Sequence, residues 1–61
     1  MNEAAAKYTA WLEAKRQGAY MVVIHRGDAL VNFPLTELRI MRGDTVIALV
    51  SPHSQPTQPE A

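Results

Sequence analysis

Between Glu3 and Gln17 apolar and polar residues recur at helical spacing. Ala4, Tyr8, Trp11 and Leu12 fall on one stripe, which Lys15 can join through its methylene stem, while Glu3, Lys7, Glu13 and Gln17 fall elsewhere. The ends of this segment carry stop and start signals. Asn2 can cap the first turn, Glu3-Ala4-Ala5-Ala6-Lys7 is strong helix-forming sequence, Lys15 and Arg16 complement the dipole at the carboxyl end, and Gly18 suits the left-handed residue that closes a helix. The pattern predicts a helix over residues 3 to 17 with Trp11 as its core anchor.

From Tyr20 the pattern changes. Tyr20-Met21-Val22-Val23-Ile24-His25 is apolar at nearly every position, as expected of a strand covered on both sides and therefore central in its sheet. Arg26-Gly27-Asp28 reads as a turn, and Ala29-Leu30-Val31-Asn32-Phe33 returns as the second arm of a hairpin that Pro34 ends. Leu35-Thr36-Glu37-Leu38 is too short for a stable helix and reads as a crossing turn, pinned to the core by Leu35 and Leu38. Arg39-Ile40-Met41 leads into a second turn, and Thr45 to Val50 forms a third strand that Pro52 ends. The order predicts an α+β fold, with an N-terminal helix packed on a small, mainly antiparallel three-stranded sheet. One helix covers one face of such a sheet, so the other face calls for a partner, most simply a second copy.

Composition narrows the picture. The segment Ser51 to Ala61 holds three of the four prolines in the 61-residue chain and no large apolar residue, so residues 1 to 50 read as one domain and 51 to 61 as a disordered tail. About fifty residues is a size at which domains usually need disulfides, a metal or a partner subunit. There is no Cys, and the two His, at 25 and 53, lack carboxylates at zinc-ligand spacing, which again points to a homodimer. Formal net charge is zero, without the basic stripe of a nucleic-acid binder. No apolar run approaches the ~20 residues that span a bilayer, and the amino terminus lacks the order of a secretory signal. A cytoplasmic protein is the expectation.

Candidate chemistry is sparse. Arg-Gly-Asp occurs at residues 26 to 28 and again at 42 to 44, each time with an Ile two residues before it and an apolar run after it. Between β-prone runs this is first of all turn chemistry, because Gly takes positive φ without steric cost and Asp can bond its own backbone. His25 is expected to be partly buried beside Met21 and Val23. Asp28 lies across the turn, but no nucleophile or oxyanion-hole signal accompanies the pair, and the glycines at 18, 27 and 43 are too isolated to cradle a phosphate. A non-enzymatic role follows.

Leu12, Arg16 and Gly18, the run Val22 to Gly27, then Asn32, Pro34, Gly43-Asp44 and Val46 to Val50 together resemble the RCK-C (TrkA-C) regulatory domain of potassium channels and transporters. The resemblance spans about Leu12 to Val50. It implies a dimeric α+β domain that senses a ligand and couples its occupancy to ion flux in a membrane transport protein or its regulatory subunit. Some relatives bind a cyclic dinucleotide or a cation between protomers. By that resemblance Ile24, Arg26, Asn32 and Pro34 would supply an apolar wall for a base, a guanidinium for phosphate and an amide for ribose. The competing expectation is a protein-interaction or assembly domain that uses its exposed sheet face and binds no small molecule.

Overall fold

The computed structural model describes residues 2 to 57. Helix α1 runs over Glu3–Gln17, followed by strands β1 (Met21–Arg26) and β2 (Ala29–Pro34), a 3-10 turn at Leu35–Glu37 and strand β3 (Thr45–Val50). This is the expected α+β arrangement. The Asn2 carboxamide oxygen accepts from the Ala5 amide at 2.7 Å, and Gly18 closes the other end with φ of 65° and its N–H on the Ala14 carbonyl. Both helix ends therefore satisfy backbone groups that would otherwise lack partners.

The sheet has the order β2-β1-β3, antiparallel throughout, so the fully apolar β1 is central. Met21, Val22, Val23 and Ile24 are all buried. Alternation sends them to opposite faces. Met21 and Val23 join Ala6, Ala10, Trp11, Ala14 and Val50 in the core beneath α1, while Val22 and Ile24 face away from the helix. A one-residue irregularity lies opposite Val23 and Ile24: these pair with Ala48 and Val46, leaving Ile47 as the extra residue of a bulge. Ile47 and Ala48 both pack against the helix-side core.

The helix docks through a different stripe from the expected one. Its buried residues are Ala6, Ala10, Trp11 and Ala14, whereas Ala4 is exposed and Leu12 is 48 % exposed. The physical reason is distance: three alanines one turn apart let the backbone lie close to the sheet, and Trp11 alone fills the wider space beside them. Tyr8 packs at the margin with its ring 5.5 Å from that of Trp11, and Lys15 places its ammonium 4.4 Å from the Trp11 ring centre.

Pro34 is the last residue of β2 rather than the residue that stops it. The Leu35 N–H donates to the Tyr20 carbonyl at 2.9 Å, which makes the adjacent pair Met21–Pro34 a non-hydrogen-bonded one. The missing amide donor of proline thus costs no ladder bond. Leu35 itself is exposed and Leu38 only half-buried, so the expected apolar pins do not hold the connector. At the far end His25 is exposed, not partly buried, because it sits at the open hairpin end opposite Leu30 and Thr45. After β3, the Ser51 hydroxyl accepts from the His53 amide at 3.0 Å. Residues 58 to 61 of the expected tail lie outside the described residues.

Candidate functional site

Val22, Ile24 and Arg26 succeed one another on the face of β1 away from α1, beside Phe33, which pairs with Val22 from β2. Residues 35 to 44 must travel from the Pro34 end of one sheet edge to the Thr45 start of the other, crossing β1. Arg26 fixes that crossing. Its Nε and Nη2 donate to the two carboxylate oxygens of Asp44 at 3.0 and 2.9 Å, and Nη2 also donates to the Arg39 carbonyl at 3.1 Å. The guanidinium lies 5.3 Å from the Phe33 ring centre. This bidentate geometry is specific to arginine, since lysine offers a point charge without the planar fork.

Asp44 receives a third bond, from the Met41 amide at 2.8 Å, and its side chain is 1 % exposed against 33 % for Arg26. Bonding to Arg26, and secondarily to the Met41 amide, holds the Asp44 carboxyl below the usual carboxylate range, with burial opposing. The same pairing raises the Arg26 guanidinium. The Arg of the first Arg-Gly-Asp thus binds the Asp of the second. Asp28 and Arg42, the outer members of the two copies, are exposed.

The four residues singled out by resemblance do not converge within one chain. Ile24 and Arg26 share the away face, but Ile24 is 0 % exposed. Asn32 and Pro34 pair with Val23 and Met21 and belong to the opposite face, both half-buried. The residue sequence reasoning missed is Asp44 as the partner of Arg26, eighteen positions away. Its sequence signal was the repeated frame itself, which offered one spare cation and one spare anion at matching turns.

The connector and β3 also carry exposed apolar side chains. Ile40 and Met41 of the connector and Val46 and Leu49 of β3 are each more than half exposed. An open depression of about 520 Å³ is lined by Thr36, Glu37, Leu38 and Arg39, all from the connector. Among the described residues no group of three His, Asp or Glu could hold a metal ion, and no helix is long and apolar enough to cross a membrane. The arrangement can dock apolar surface and present a partly exposed guanidinium. Compared with protein-family models, curated proteins and solved structures, the chain matches none.

Proposed function

We propose that this chain is a non-enzymatic, dimeric regulatory module, similar in role to the RCK-C domain of potassium-transport proteins. A ligand or partner acting at the face around Arg26 biases its association and passes that bias to a larger cytoplasmic transport assembly. The observation that carries the reading is the exposed apolar set Ile40, Met41, Val46 and Leu49 on the connector and β3, the two segments that flank Asp44. Large exposed apolar side chains suit an interface, and the partly exposed Arg26 guanidinium gives a means of reading an anionic group.

Sedimentation equilibrium tests the dimer: association in the micromolar range is expected, and a monodisperse monomer at high micromolar concentration overturns it. A thermal-shift titration with cyclic dinucleotides, with backbone amide shifts followed over residues 24 to 34, tests the ligand. A ligand selective for the folded state raises the melting temperature by mass action. The second reading, an assembly domain without a small-molecule ligand, is favoured by the full burial of Ile24 and the engagement of Arg26 by Asp44. A dimer that shows neither melting shift nor amide response assigns that reading instead.

A further inference from the structure

The two edges of the sheet differ in what they offer a neighbouring strand. Because Tyr20 and Leu35 are hydrogen-bonded, alternation makes Met21–Pro34, Val23–Asn32 and His25–Leu30 non-bonded pairs across β1 and β2. Pro34, Asn32 and Leu30 therefore turn their backbone toward the outer side of β2. Pro34 has no N–H to give there, which blunts that edge.

On the other side of β1 the phase reverses. Met21, Val23 and His25 direct their backbone groups to β3, so Val50, Ala48 and Thr45 are occupied, whereas Leu49 and Val46, opposite Val22 and Ile24, present theirs outward. The strand Thr45-Val46-Ile47-Ala48-Leu49-Val50 has no charge, proline or glycine. Edge strands with free amides and none of these guards are templates for pairing. The side chains that flank the outward amides, Val46 and Leu49, are also 54 % and 57 % exposed.

We propose that β3 pairs antiparallel with β3 of a second copy across a two-fold axis, joining two three-stranded sheets into one. This rests on the dimer reading above and assigns its surface to the strand edge. A second copy fits for three reasons. An uncharged strand meets itself without like-charge repulsion; a two-fold contact consumes both β3 edges at once; and the edges left over are those of β2, where Pro34 withholds an amide from further pairing. The apolar side chains of Val46 and Leu49 from both copies then line one continuous surface.

Amide hydrogen exchange of the unmodified protein above and below its dissociation midpoint tests the assignment. Slow exchange at Leu49 and Val46 is expected in the dimer, with at least tenfold faster exchange on dilution. Leu49→Pro, the counterpart of Pro34 at an outward position, is expected to keep its circular dichroism and sediment as a monomer. A dimer in which the Leu49 amide exchanges as fast as in the monomer overturns edge pairing while leaving a face-to-face dimer in place. A folded Leu49→Pro variant that still dimerises does the same, and a protein monomeric throughout removes both readings.

Discussion

Asp44 holds three donors in a nearly inaccessible position, so its charge state decides whether the connector stays tied to β1. Its folded pKa lies below that of a free aspartate, whose ordinary value is 3.8. A depressed carboxylate contributes stability that is fully present above the unfolded pKa and is lost as pH falls through the folded one. Stability is therefore expected to decline below about pH 4 in the wild type. In Asp44→Asn this acid-dependent part should disappear, leaving a variant less stable at neutral pH but flatter on acidification; urea midpoints from pH 2 to 7 check both. Gly43, with φ of 88° just before Asp44, and Gly27, with φ of 59° in the hairpin, sit where an added Cβ meets no neighbour within 4 Å. The cost of substitution there is backbone strain alone, about 1–2 kcal/mol for most residues and less for Asn, which tolerates the left-handed region. Gly43→Val should thus melt lower than Gly43→Asn, and equal melts would show that the turn does not need positive φ. These turns were legible in the sequence because Gly-Asp between apolar runs is local chemistry. The Arg26–Asp44 bond was not, because it depends on where two distant turns meet after the chain has crossed the sheet.

At the scale of elements, helix length, hairpin and central strand followed from local signals: the Asn2 cap, Gly18, and the unbroken apolar run of β1. The helix face did not. Side-chain size pointed to Leu12, whereas the sheet takes the alanines, because how close a helix approaches depends on both surfaces and is absent from the pattern of one. A direct consequence is that Ala10, fully buried, has no room to grow. Ala10→Leu is expected to destabilise by about 1–3 kcal/mol through overpacking, while Leu12→Ala, on the exposed side, should change stability by no more than about 0.5 kcal/mol. Chemical denaturation of the two variants gives the comparison; the opposite order would mean that α1 docks through the Leu12 side. Trp11 adds a further cost, since its buried indole N–H finds no partner among the described residues. Its ring packing must outweigh that lost hydrogen bond, worth about 1–3 kcal/mol, for the helix to dock as it does.

For the whole molecule, the described fold spans 29 by 28 by 13 Å, thick enough for one helix on one sheet. The helix-side core is made largely of alanine and valine, so the apolar area it removes from water is small for the ordering entropy of the chain. On the other face Val22 and Ile24 are buried, while Ile40 and Met41 of the connector stay in solvent. Both observations motivate the proposed dimer. If the dimer supplies part of the stability, unfolding is coupled to dissociation and mass action makes the melting temperature depend on protein concentration. The expected outcome is a melting temperature that climbs by several degrees as protein rises from micromolar to near-millimolar, with the steepest climb around the dissociation midpoint measured by sedimentation. The Leu49→Pro variant should show no such climb. A wild-type melt that stays constant across that range would mean that the alanine-lined core beneath α1 suffices for a free-standing monomer.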